Sequence, residues 1–502
     1  MPVNFECARV RELRNCIHLM KFPAKAQRRK DSFWFSPSLH LCAFAGTCLV
    51  FGLGVGSVQA NAQSRVTISL PATGYVNVEA QFSSPLKLWS FRNVYASALG
   101  IAERVEDFRA FGASGEDARV KKSAAGEFRS ELDATKISYT VKLSEPRAEH
   151  LPFVSWLVGD RGVLMFADLL PIDIESVSCN FILPAGWSAE SSVTPDANGR
   201  YEVSQPEKAV FLVGSLLNKQ SNRVAGMPLE TVVSGTWSFK DDDPWKVAAR
   251  VMQKNLELTG FRLPGKSVIL IVPLPAADPS SRWKAETRGS TIVLLLNPAY
   301  RKDMSTGQLG VIFSHEALHL WVPNSLKLEG DYDWFFEGFT MYTALRTALE
   351  LKLIDFKEFL KTLGGAYKYY LDHPDNDSLI EASEKRWTGG FSHVYIKGML
   401  VAFVYDLILR KESGGKATLA DRYRSLFSAP VADGANGNEA IIRLLGVSPA
   451  TSEFTKSYIE NSRALKLEQL VPMYGLEVEK SQLKVSSKLD DDQKQLLRSL
   501  GY

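Results

Sequence analysis

Residues 311–342 read VIFSHEALHLWVPNSLKLEGDYDWFFEGFTMY, and the roles given to four of them, His315, Glu316, His319 and Glu337, decide how the whole chain is read. Residues four apart on an α-helix lie about 40° apart around the axis and one turn along it. A helix through this segment therefore projects His315 and His319 from one face. Two imidazoles so placed can bind one divalent ion at about 2.0–2.1 Å each. Glu316 is offset to the side of that face, where a carboxylate reaches a water activated by the ion instead of the ion itself. A catalytic zinc site needs a third protein ligand and an open fourth position. Glu337 is the candidate: it stands 18 positions after His319, at the start of what reads as a second helix, and the intervening loop lets both helices face one ion. Ser305-Thr306-Gly307-Gln308 matches a capping box at the start of the first helix, and Pro323 stops it four positions beyond His319. The competing reading is a buried helix that happens to carry two histidines. A downstream glutamate followed by Gly-Phe-Thr and the helix-start signal upstream weigh against it.

With these residues in view, HEALHLWVPN (315–324) and WFFEGFTMY (334–342) resemble the gluzincin metallopeptidases, whose zinc ligands are two histidines and a downstream glutamate. The resemblance implies one zinc ion held by His315, His319 and Glu337, with Glu316 as general base. His319, Trp321 and Asn324 are similar to the H-x-W-x-x-N of the aminopeptidase N family, although 17 residues separate the two ligands where that family has 18. DSLIEASEKRW (377–387) and VYIKGMLVAFVYDLILRKESGGKATLADRYRSLF (394–427) are more similar to the glycyl-aminopeptidase family. There a Tyr-x-Lys-Gly segment leads into an Asp-containing helix, which implies that the Tyr395 phenol donates to the developing oxyanion. The plainer reading of Tyr395 is an ordinary helix aromatic. His393, two positions earlier, is expected at the surface.

A third segment, WKAETRGSTIVLL (283–295), resembles G-G-x-E-H-x-x-S of the glycyl-aminopeptidases and, more loosely, G-x-M-E-N of aminopeptidase N. The resemblance implies that Glu286 binds the α-ammonium of a peptide's first residue. Trp283 and Lys284 stand where glycines would be, and Thr287 replaces His. Glycines there let a peptide lie close to the backbone, so the choice between exopeptidase and endopeptidase stays open. A zinc-bound imidazole usually donates its other N–H to a carboxylate or a carbonyl; the sequence does not identify that partner, and Glu329, Asp331, Asp333 and Thr340 are nearby candidates.

Outward from this centre the chain divides by pattern. Residues 63–237 alternate β-branched or aromatic residues with polar ones, as in RVTISL, YVNVEAQF and KISYTVKL, and read as a β-rich domain. Residues 238–410 form the expected thermolysin-like catalytic domain, 411–470 a helical C-terminal region and 471–502 a short tail. The fold class is thus multidomain α+β.

Residues 1–62 read as an address. A basic segment ending AKAQRRKD leads to an apolar, Gly- and Ala-rich stretch closing on Ala60-Asn61-Ala62, a pattern suited to signal peptidase cleavage before Gln63. The alternative is an uncleaved leader acting as a membrane anchor. Four of five cysteines lie in this leader and only Cys179 follows it, so the rest of the chain cannot form an internal disulfide. The formal net charge of +3 resides in the leader, since 51 basic and 53 acidic residues remain after it, and a near-neutral remainder gives no electrostatic case for nucleic acid. The expected protein is an exported, periplasmic or secreted zinc peptidase, an aminopeptidase acting on peptides, with no stable membrane span after leader removal. Its alternatives are a zinc endopeptidase or a catalytically altered peptide-binding scaffold of the same fold.

Overall fold

In the computed structural model the described residues are 64–502, apart from 72–73, 97, 144–149, 238–242, 276–282, 299–301, 375, 391 and 430–431, with residues 302–308 described through their backbone alone. The predicted leader and its cleavage site before Gln63 lie outside them. Among the described residues no helix is long and apolar enough to cross a membrane.

Three sheets are built from the period-two segments. The first runs in the order Tyr201–Val203, Val177–Ile182, Ser64–Ser69, Tyr75–Ser90, Glu127–Lys142, Val105–Phe111, with Val120–Ala124 also paired to Glu127–Lys142. Along Tyr75–Ser90 the residues Val76, Val78, Ala80 and Phe82 are buried while their neighbours are exposed, as alternation across a pleat requires. The second sheet is Trp187–Glu190, Val210–Ser215, Arg161–Met165, Trp156–Val158. Its two faces serve two cores. Leu164, Phe211 and Val213 join the core of the first sheet, whereas Val163, Met165, Val210 and Leu212 pack on Val268, Leu270, Val293 and Leu295 of the third.

The third sheet runs Asn218–Val224, Met227–Val233, Ser267–Pro273, Thr291–Leu296, Trp283–Arg288. It draws strands from both sides of residue 237, so the division placed there by pattern passes through one sheet. The reason is that Met227–Val233 hydrogen-bonds in parallel register to Ser267–Pro273, a long-range pairing that local periodicity does not report. The edge strand is Trp283–Arg288, antiparallel to Thr291–Leu296.

Helices cover the other face of this sheet. Asp243–Thr259 and Lys302–His319 contribute Val251, Met252, Phe313 and Ala317 to a core that continues through the C-terminal helices to Leu500. The helical region and tail therefore share one apolar interior with the histidine-bearing helix. That helix is already under way at Lys302, which makes Ser305 an interior position and removes the capping box expected there. A cap signal is local, and Lys302, Asp303 and Met304 contain no breaker to hold the start back. The helix ends on His319, in the turn before Pro323.

Two further segments complete the frame. A wide turn of helix, Trp334–Phe339, leads into Thr340–Glu350, and a second, His393–Lys397, leads into Gly398–Glu412. They touch backbone to backbone: a Cβ on Gly338 would meet Val394 O at 2.5 Å and Gly398 Cα at 2.6 Å. Glycine is thus required at both points of closest approach, one residue after Glu337 and three after Tyr395. Alanine normally stabilises a helix interior over glycine by about 1 kcal/mol, but at Gly338 overpacking dominates. Gly338→Ala is expected to destabilise the protein by about 1–3 kcal/mol in chemical denaturation; a gain in stability would show that the two helices do not meet this closely.

Candidate metal centre

The helix spacing of His315 and His319 brings their Nε2 atoms to 3.0 Å from each other. Glu337 arrives from the neighbouring helix with Oε2 at 3.2 Å from His315 Nε2 and 3.4 Å from His319 Nε2. Ligands bonded at about 2.0–2.1 Å to a tetrahedral zinc ion lie roughly 3.3 Å apart, so the triangle has the size such an ion demands. Glu337 Oε2 is buried and receives no hydrogen bond, an arrangement that costs stability unless a cation meets it. Among the described residues these three form a group whose ligand atoms all lie within 4.8 Å.

The charges around the triangle are mutually dependent. Burial alone would push Glu337 up, but Arg386 and then His319 outweigh it and hold its carboxyl well below the usual range. Burial favours neutral His319, yet Glu337 beside it pushes that imidazole up to about 9, whereas burial and the charge of His319 lower His315. His319 Nδ1 lies 2.9 Å from Val322 O; donating there leaves Nε2 as the lone pair for a metal. The expected second-shell partner is therefore a carbonyl of the turn after the helix, and none of the four side chains nominated from the sequence fills it.

Glu316 projects beside the triangle. Thr287 Oγ1 donates to Glu316 Oε2 at 2.7 Å and to its main-chain carbonyl at 2.9 Å. Burial pushes its carboxyl up to about 7, with Glu286 and Glu337 adding to the rise, a value suited to a group that takes and returns a proton near neutrality. Thr287, met in the sequence as a departure, thus holds Glu316 in place.

Glu286 stands on the edge strand. Tyr95 Oη donates to its Oε1 at 3.2 Å, and Arg288 Nε lies 3.8 Å from the same oxygen. Burial raises the Glu286 pKa, Arg288 and Arg386 opposing the rise. The strand's two faces divide the work: Trp283 and Ala285 pack on the helical core on the side from which Thr287 reaches Glu316, while Glu286 and Arg288 turn to Tyr95 and the Phe153 carbonyl.

Tyr395 lies in the site, its ring 6.5 Å from that of His315. Burial holds its phenol well above the ordinary range despite the nearby Arg386. His393, expected at the surface, is buried and its ring lies 5.8 Å from Tyr370, because the turn carrying it packs between helices. Two site residues escaped the sequence reading. Arg386 lies inside the quoted EASEKRW without any spacing that links it to the ligands, and Tyr95 is 191 positions from its partner Glu286, beyond the reach of any local pattern.

No protein-family model and no curated protein matches the sequence. Solved structures do match in fold. An aminopeptidase N family protein from Idiomarina loihiensis superimposes with a TM-score of 0.69 at 19% identity, over 83% of this chain and 79% of that one. An M1 zinc metallopeptidase from Deinococcus radiodurans gives 0.53 at 13% identity, over 81% and 95%. A variant of it bound to a Tyr-Ser-Ala substrate gives 0.52 at 12% identity, over 81% of this chain and 95% of that one. The chain has the mixed α+β fold of these metallopeptidases. Glu337 pushes His319 up to about 9 against burial, so a metal that takes its Nε2 competes with a proton. Zinc binding near pH 7 is therefore expected to release close to one proton, and affinity to rise with pH up to that value; calorimetry in two buffers of different ionisation heat measures the release, and its absence would refute the His319–Glu337 coupling.

Proposed function

We propose that this chain is an exported zinc-dependent peptidase, thermolysin-like in its catalytic region, that removes residues from the N-terminus of peptides. The observation that carries this reading is the convergence of His315, His319 and Glu337 at the spacing of a tetrahedral site, with Glu316 beside it. Export is supported by the basic-then-apolar leader closing on Ala60-Asn61-Ala62. His315, His319 and Glu337 would hold the ion, which supplies Lewis acidity that lowers the pKa of water and polarises a carbonyl.

The remaining steps belong to the side chains. Glu316 accepts a proton from the attacking water as its oxygen bonds to the carbonyl carbon. Tyr395 donates a hydrogen bond to the oxygen on which negative charge develops. As the C–N bond breaks, Glu316 returns the proton to the leaving amine, so acid and base are one group used twice. Glu286 pairs with the substrate's α-ammonium, held for that purpose by Tyr95. The fold's structural neighbour bound to a Tyr-Ser-Ala substrate supports a short peptide as the substrate.

One observation favours a second reading. Arg288 stands 3.8 Å from Glu286 and bulky Trp283 and Lys284 occupy the strand where glycines would admit a peptide closely, an arrangement suited to internal cleavage. A scaffold reading has less behind it, since the sequence retains every side chain expected of a catalyst.

Two measurements separate these outcomes. Glu316→Gln is expected to keep about one zinc per chain while hydrolysis falls by about a thousandfold; wild-type activity in that variant would remove the assignment of the base. Digestion of a peptide library is expected to consume free N-termini and spare N-acetylated ones, and Glu286→Ala to raise KM for free peptides alone. Internal cleavage of acetylated peptides would replace the aminopeptidase reading with the endopeptidase one.

A further inference from the structure

Arg386 joins the zinc-facing carboxylate to the phenol through a single nitrogen. Its Nη2 lies 2.7 Å from Glu337 Oε1 and 2.5 Å from Tyr395 Oη. Its Nη1 lies 2.5 Å from Asp333 Oδ1, which fixes the plane of the guanidinium. Three rings surround it, with centroids 4.4 Å away for Trp387, 5.4 Å for Tyr395 and 5.7 Å for Phe336. The side chain is thus held by two carboxylates, one phenol oxygen and three aromatic faces.

The chemistry of those contacts sets directions. A guanidinium donates and never accepts, so Tyr395 Oη is the acceptor toward Arg386. The phenol's own hydrogen then goes to Glu337, and it is the donor that a substrate oxygen would draw on. In the same way Arg386 donates to Glu337 Oε1, and Oε2 is the oxygen that faces His315 and His319 and would be the one to hold an ion.

We propose that Arg386 is a positioning residue, which fixes the Tyr395 phenol beside Glu337 and leaves Glu337 Oε2 as the oxygen that would hold zinc. The proposal rests on the peptidase reading for its kinetic half and stands without it for its metal half.

The test compares Arg386→Gln and Tyr395→Phe, singly and together, with metal affinity measured beside the kinetics. Arg386→Gln is expected to lower kcat by about ten- to a hundredfold with KM changed by less than about threefold, and to weaken zinc by a similar factor against a chromophoric chelator. In the Tyr395→Phe background the further loss of kcat should be at least about tenfold smaller, because the phenol that Arg386 fixes is already gone. Should Arg386→Gln fail to fold, Arg386→Lys takes its place, since an ammonium keeps the charge beside Asp333 but cannot reproduce the planar fork. Equal kcat losses in the two backgrounds, unchanged zinc affinity, or a rise in KM at constant kcat each overturn the proposal, the last by making Arg386 a substrate-binding group. If the wild-type protein hydrolyses no peptide, the proposed function fails, and the chelator competition alone still decides the hold of Arg386 on Glu337.

Discussion

A buried carboxylate with two differently engaged oxygens organises this site. Glu337 Oε2 faces the two imidazoles and Oε1 accepts from Arg386. Removing such a charge from water costs several kcal/mol unless paired charges and hydrogen bonds offset it, and here Arg386 donates to Oε1 while the two imidazoles stand beside Oε2. Against burial, Glu337 raises His319, while burial and then the charge of His319 lower His315. Arg386 is in turn balanced by Asp333, so no member of the set can be changed without unbalancing another.

Holding those charges together is a matter of backbone approach. The glycine contact between Gly338 and Gly398 brings the helix carrying Glu337 against the helix following Tyr395. Farther along, Tyr342 Oη donates to Asp406 Oδ2 at 2.6 Å, Arg410 Nε to the same oxygen at 2.9 Å, and the Leu419 amide to Oδ1 at 2.7 Å, stitching the two helices at a second level. The tail closes the stack: Arg346 donates to Leu500 O, and Arg410 Nη1 to Ser499 O at 2.5 Å, capping the last helix, Asp491–Ser499. The short tail is therefore part of the frame that fixes the distance from Glu337 to Tyr395.

From the other side the β-rich region reaches the site through the edge strand. Arg288 lies over the Tyr95 ring at 4.1 Å and donates to the Phe153 carbonyl at 3.1 Å, which anchors the strand bearing Glu286 and Thr287 to segments far away in sequence. Because successive residues of a strand face opposite ways, Thr287 serves Glu316 while Glu286 meets Tyr95. One strand thus joins Glu316 to Glu286, the two carboxylates given roles in the proposed reaction.

The sequence by itself determined the ligand pair, since a four-residue interval on a helix places His315 and His319 on one face whatever surrounds them. It also determined the β-rich character of the segments after the leader, because alternation of polarity is a local property of a pleated strand. Glu316 and Glu337 were nominated through their spacing from the histidines, and Tyr395 through the resemblance of its segment to a known family. Only the tertiary structure decided the rest. The third sheet crosses residue 237, the histidine helix starts before its apparent cap, and the second-shell acceptor is Val322 O and no carboxylate. Arg386 and Tyr95 come to the centre through packing of segments distant in the chain, and a contact of that kind leaves no periodicity, spacing or local propensity in the sequence to be read.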